Sequence, residues 1–190
     1  MAKITKKSVQ FYLLSDQFYT DYDITIYNQI LDKGDKRGYG VFLIPVYVGF
    51  IENEIRIFNQ EEMKIYVECN KTDIFEKHNF AIPLHSNIKA TSGFILQTTH
   101  LSQNYQTKHS GLDYNKAVIV KPEHLGRRYN LERPEFNRIN SSQKVIQKEF
   151  SKFLNNYIKL VKEGNTTALK RDFNFTTLQY FHEELKLNQI

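Results

Sequence analysis

A stripe of apolar residues near the C-terminus constrains the fold more than any other feature of the sequence. Val145, Ile146, Phe150, Phe153, Leu154, Tyr157, Ile158 and Val161 recur at spacings of three and four, the repeat of one face of an α-helix. Ser141 or Ser142 can cap its start, and Gly164 stands just past its end, where a left-handed residue closes a helix. The spacing predicts one amphipathic helix of about 20 residues. Such a face is stable only against another apolar surface, which the rest of the chain must supply.

The rest reads mostly as strands. Val9–Leu14 looks like one, and Ser15-Asp16 can open a short helix over Gln17–Tyr22,. Ile24–Leu31 suggests a second helical piece, and Lys33–Gly38 a loop,. Tyr39–Val48 is β-rich, and Pro45 within it implies an edge or a bulge,. Ile51–Phe58 alternates after a turn at Gly49, and Met63–Glu68, Asn79–Leu84, Phe94–Thr98 and Ala117–Val120 read as further strands,. Thr176 can cap a last helix through Leu185,. Short strands followed by helices imply an α+β fold: a compact curled antiparallel β-sheet or small barrel with packed helices, the long C-terminal helix among them. At 190 residues, a single domain spanning 1–190 is expected, with a core that needs no staples.

Charge is unevenly placed. Residues 1–114 carry 12 Lys and Arg against 13 Asp and Glu, whereas residues 115–190 carry 14 against 8. A basic C-terminal part, with Arg127, Arg128, Arg133 and Arg138 close together, suits a polyanion such as nucleic acid, and equally suits a solvated basic face. Cys69 is the only cysteine, so no internal disulfide can form and a reducing compartment fits,. The longest apolar run, Val41–Ile51, is broken by Pro45 and Gly49 and falls short of the roughly 18 residues of a membrane span. The basic start Met1–Lys7 is not followed by an apolar signal segment,. The expectation is a cytoplasmic protein with no membrane partner.

The segment Phe80-Ala81-Ile82-Pro83-Leu84-His85-Ser86-Asn87-Ile88-Lys89 stands out. An apolar strand ends at Pro83-Leu84 and polar groups follow, where a rigid platform can hold them. Ser86 and Lys89 could grip one phosphate, but the pattern by itself favours a plain polar turn. Ser-x-x-Lys recurs at Ser141–Lys144, where it opens a helix, so the spacing alone is not specific. The six histidines include no His-x-x-x-His pair, and no Gly-x-x-x-x-Gly-Lys loop is present; no metal and no cofactor are expected.

Phe80–Phe94 resembles the toxins of type III toxin–antitoxin systems, the ToxN/AbiQ group and most closely its TenpN branch, in which a Pro-Leu-Arg-Ser-x-Ile-Lys-like run follows a short strand. Three more segments agree in order: Val9–Tyr19, Arg37-Gly38-Tyr39-Gly40-Val41, and Gly111-Leu112-Asp113-Tyr114-Asn115-Lys116-Ala117-Val118-Ile119-Val120. The resemblance implies a MazF/Kid-like sheet with helices and an endoribonuclease that works without metal through the ribose 2′-hydroxyl, leaving a 2′,3′-cyclic phosphate. It also implies a small repeated antitoxin RNA, cut from its precursor by the toxin and then inhibiting it in a toxin–RNA assembly, with cellular or phage mRNA as the other substrate and phage defence as the setting.

Residue by residue, the resemblance makes Ser86 and Lys89 the catalytic serine and lysine, and Tyr19 the N-terminal tyrosine. His85 stands where the branch has arginine, and Asn87 and Ala90 replace histidines; His85 or Tyr19 would then transfer the proton. Lys89 would balance charge on the phosphoryl oxygens and Ser86 would donate to them. Asp113 and Lys116 match a Leu-Asp-x-x-Lys-like run, with Asp113 either capping or orienting. Arg37, Lys116, Arg127, Arg128, Lys144 and Lys148 would contact RNA, the basic ones of the C-terminal part along its backbone. Two other readings stand beside this one: a non-catalytic RNA-binding small barrel, and a ribosome-dependent toxin of another family.

Overall fold

A computed structural model describes residues 11–22, 40–52, 54–69, 76–101, 106–129 and 134–187. The elements run β1 (Phe11–Leu14), α1 (Asp16–Asp21), β2 (Gly40–Ile51), β3 (Glu54–Phe58), α2 (Gln60–Glu68), β4 (Glu76–Ile88), β5 (Gly93–Leu101), β6 (Gln106–Asp113), β7 (Val118–Val120), β8 (Leu125–Tyr129), α3 (Pro134–Ser141), α4 (Gln143–Lys162) and α5 (Thr166–Asp172). Short 3-10 turns cover Tyr114–Lys116, Pro122–His124 and Thr177–Tyr180. The expected helical piece Ile24–Leu31, the loop Lys33–Gly38 and the candidate Arg37 lie outside the described residues.

The architecture is α+β. Eight strands form one antiparallel sheet in the order β5-β6-β4-β2-β1-β8, with β3 added on β2 and β7 on β4. Among the described residues the sheet stays open and β5 and β8 are its ends, so the barrel alternative does not hold. Two prolines mark where strands change partners. Pro45 pairs with Asn79 on β4, but its other side falls between the stretches of β2 taken by β1 and by β3. Pro83 is the last residue of β4 opposite β2, between the stretches taken by β7 and β6. Amides alternate sides along an antiparallel strand, and the pairs Val41–Pro83 and Pro45–Asn79 share a parity. The missing N–H of each proline therefore falls in a gap, and neither costs a ladder hydrogen bond.

Three expectations need correction. The turn after β2 is at Glu52, in the left-handed region at φ 51, whereas Gly49 is paired with Arg56 inside the ladder. Met63–Glu68 is helix, because Asn59 caps α2: its side chain accepts from the Glu61 and Glu62 amides and the Glu62 carboxylate accepts from the Asn59 amide,. Thr176 caps only the turn Thr177–Tyr180. The elements β6, β8, α3 and α5 had no counterpart among the expected ones.

The long helix forms as the stripe implies. Ile146, Phe150, Leu154, Tyr157 and Ile158 of α4 are buried, while Val145 faces out. Phe150 meets Phe80 of β4 and Tyr114 edge-on or tilted at 5.2 and 5.3 Å, within the range of favourable aromatic pairs. The Asn155 amide donates to the Ile57 carbonyl and accepts from the Ile57 amide, both at 2.9 Å, tying α4 to the outer edge of β3. Gly164, at φ 60, ends the helix,. One core cluster runs from Phe11 to Leu187. Among the described residues, no helix is long and apolar enough to cross a membrane.

Candidate active site

The strand β4 does not stop at Leu84; it continues through Ile88. Where it leaves β2 it pairs with β6, His85 opposite Gly111 and Ile88 opposite His109. Three steps on β4 against two on β6 leave one extra residue, so Ser86 and Asn87 sit in a bulge. On the other side of β6 a second irregularity falls in β5 between Ile95 and Gln97. The strand β5 crowds Gly111: a Cβ there would lie 1.9 Å from the Phe94 carbonyl oxygen, so only glycine fits. Paired bulges re-aim side chains and are enriched at functional sites.

The bulge turns His85 toward Asp113. Its Nδ1 lies 3.3 Å from the Asp113 carboxylate; the imidazole is about a quarter exposed and the carboxylate 8% exposed. The other Asp113 oxygen accepts from the Asn115 amide at 3.1 Å, so Asp113 both caps the turn Tyr114–Lys116 and faces the ring. The Nδ1 is buried and makes no hydrogen bond, and the Asp113 carboxylate is the charged group that faces it. A carboxylate at Nδ1 favours the proton on that nitrogen and leaves Nε2 to exchange one.

One ammonium group completes the corner. Lys116, half-buried at the end of the turn, donates to the Phe175 carbonyl at 2.7 Å. Burial pushes its ammonium below the ordinary value, and the Asp113 charge acts against that. Lys89, just past β4, donates to the Arg171 carbonyl at 3.1 Å. Both lysines thus reach one stretch, 171–175. That stretch is fastened in turn by Thr176 and Thr177, whose buried hydroxyls donate to the Asn115 carbonyl at 3.2 Å and the Ala117 carbonyl at 2.5 Å. Arg171 is engaged with Asp172 at 2.7 Å.

The structure therefore brings together His85, Asp113 and Lys116, and ties Lys89 and Lys116 to one stretch, 171–175. Ser86 is exposed in the bulge beside His85. Tyr19 stands on α1, beyond the end of β1, with its ring edge-on to Phe18 at 5.3 Å. Because β1 and β4 flank β2, α1 lies at the same end of the sheet as His85, about 10 Å across it by strand spacing. The other basic candidates are elsewhere: Arg127 and Arg128 are exposed on the end strand β8, and Lys144 and Lys148 are exposed on the first turns of α4. Lys144 is engaged with Glu61 of α2.

Sequence reasoning missed the part played by stretch 171–175, which no spacing marks. It also missed His124, 1% exposed in the turn before β8. The Lys121 amide donates to its Nδ1 at 3.2 Å, so the proton is on Nε2, which donates to Asp21 of α1 at 2.9 Å. Among the described residues, no group of three His, Cys, Asp or Glu side chains could hold a metal ion. A groove of about 530 Å³ between β3 and α4 is lined by Ile55, Arg56, Asn155 and Ile158 among others, none of them a corner residue. Compared with known protein families, characterised proteins and solved structures, the chain matches none.

Proposed function

We propose that the chain is an endoribonuclease toxin of the type III kind, cutting RNA through the 2′-hydroxyl and held inactive by a small folded antitoxin RNA. The observation that carries this reading is the His85 imidazole, 3.3 Å from a buried carboxylate, in a bulged strand, with Lys116 beside that carboxylate and Lys89 reaching the same stretch as Lys116. RNA supplies its own nucleophile, so the protein needs only a base, charge for the phosphoryl oxygens and a donor for the leaving oxygen. His85 is the base, set in its tautomer by Asp113. Lys89 and Lys116 carry the charge, the Ser86 hydroxyl donates to the phosphate, and Tyr19 gives the leaving 5′-oxygen its proton as the bond from phosphorus to that oxygen breaks. Arg127, Arg128 and Lys148 extend the RNA surface, and cellular or phage mRNA is the other substrate. The protein acts in the cytoplasm, assembles with its RNA and needs no metal. The antiparallel sheet with packed helices is compatible with a MazF/Kid-like relationship, which belongs to the same proposal.

A second reading has its own support. Both lysine ammonium groups bond main-chain carbonyls of one stretch, as purely structural clasps would. On that reading the protein binds RNA and cuts nothing. Purified protein incubated with single-stranded RNA in EDTA separates the two: fragments ending in a 2′,3′-cyclic phosphate are expected, and Lys89→Ala abolishes them while the protein stays folded. Intact RNA at every salt concentration leaves only the binding reading.

A further inference from the structure

We propose that Phe175 is a stacking platform for an unstacked base of single-stranded RNA, beside the corner formed by His85, Asp113 and Lys116; the inference rests on the endoribonuclease reading and deepens it. Phe175 is 68% exposed and, among the described residues, is the only aromatic among the exposed large hydrophobic side chains. Its neighbours Phe173 and Thr176 are buried, 5% and 4% exposed, so the chain turns inward on both sides and presents this ring to water.

The backbone there is held against its preference. Phe175 has φ 65, a left-handed conformation that a bulky side chain adopts only when its surroundings impose it. Two contacts impose it. The Lys116 ammonium holds the Phe175 carbonyl at 2.7 Å, and the Thr176 amide bonds the Phe173 carbonyl at 3.1 Å. A strained, exposed aromatic at a position that glycine or asparagine would fill more comfortably suits a role outside the fold.

The charges around it fit a nucleotide. Lys116 and Lys89 reach the same stretch, and Lys170 and Arg171 precede the ring. Asp172 is bound to Arg171, and Asp113 faces His85 and Lys116. A backbone phosphate held by the lysines would bring its neighbouring base over an apolar ring. Such stacking accepts any base, because each has a π-face.

The chain contains no tryptophan, so F175W introduces a single indole at the site, which can be excited at wavelengths where the tyrosines do not absorb. Titration of the full-length variant with a fully 2′-O-methylated oligonucleotide, which cannot be cut through a 2′-hydroxyl, is expected to quench that fluorescence with affinity close to wild type. F175A should weaken binding of the same probe, read by anisotropy, by roughly 5- to 100-fold. F175G should weaken it equally while raising Tm, since glycine accepts the positive φ. An unquenched F175W, or an F175A that binds as wild type does, overturns the platform. If the wild type still cuts unmodified RNA in that case, the endoribonuclease reading survives alone. If binding depends on Phe175 but nothing is cut, the platform survives and the nuclease reading falls.

Discussion

Two histidine–aspartate pairs lie at one end of this sheet, and they are built in opposite senses. At His85–Asp113 the carboxylate is buried and the ring a quarter exposed. At His124–Asp21 the ring is 1% exposed and the carboxylate 36% exposed. His124 uses both nitrogens, one accepting from the Lys121 amide and one donating to Asp21, and its ring packs edge-on against Phe18 and Tyr22 at 5.5 and 5.3 Å. It has no nitrogen left for a substrate. His85 has one. The same two residue types therefore make a clamp in one place and a proton-exchanging group in the other, and what separates them is which partner faces water.

The largest expected effect breaks the comparison at His85. Loss of a general base costs about 10²- to 10⁴-fold in rate, so His85→Ala should lower RNA cleavage by that order with Tm almost unchanged. Asp113→Asn should cause a smaller fall in kcat with little change in KM, as expected of a residue that positions the ring. Full cleavage by His85→Ala, measured as product formed per folded molecule, would remove His85 from the chemistry and shift the base to Tyr19.

Next comes stability at the other pair. His124→Ala removes a buried ring and two hydrogen bonds, which should destabilise the fold by about 2–4 kcal/mol. Urea unfolding reads that loss directly. Cleavage per folded molecule should stay near wild type, because His124 locks α1 to the turn Pro122–His124 and touches no phosphate. A variant that loses cleavage while keeping its unfolding midpoint would mean that the two pairs had been assigned the wrong way round.

How much of this the sequence revealed depends on the range of the interaction. The α4 stripe was legible because its period of three and four is local and the face it buries is wide,. Met63, Ile65 and Val67 alternate like a strand, yet the cap at Asn59 makes them helical, and Ile65 and Val67 remain exposed. β6 was missed because Gln-Thr-Lys-His-Ser-Gly-Leu-Asp has almost no apolar residue to alternate. At the site, Ser86, Lys89 and His85 are close in sequence and were singled out together. The facing of His85 to Asp113 depends on a bulge and on strand register, which no single segment specifies. His124 and Asp21 are 103 residues apart, and neither sits in a motif.

The smallest expected effect sharpens the contrast through pH. The hydrogen bond from His124 holds the Asp21 carboxyl below its ordinary value. A carboxylate lowered in the folded state adds stability above the unfolded value, near pH 4, and that stability is lost as pH falls through the lowered value. Asp21→Asn keeps an oxygen that can accept from His124 and removes the charge, and the Gln17 amide, which donates to the other Asp21 oxygen at 2.6 Å, can flip to accept from the new NH2. Wild type should therefore be slightly more stable than Asp21→Asn at pH 7, and the two unfolding midpoints should converge as pH drops below about 4. Taking the difference between the two proteins cancels Glu61, Glu76 and Asp172, whose lowered carboxyls are common to both. A gap that stays constant with pH would mean that Asp21 acts by shape alone. The pair would then hold by the packing of His124 against Phe18 and Tyr22, leaving His85–Asp113 as the one pair of the two in which the carboxylate's charge matters.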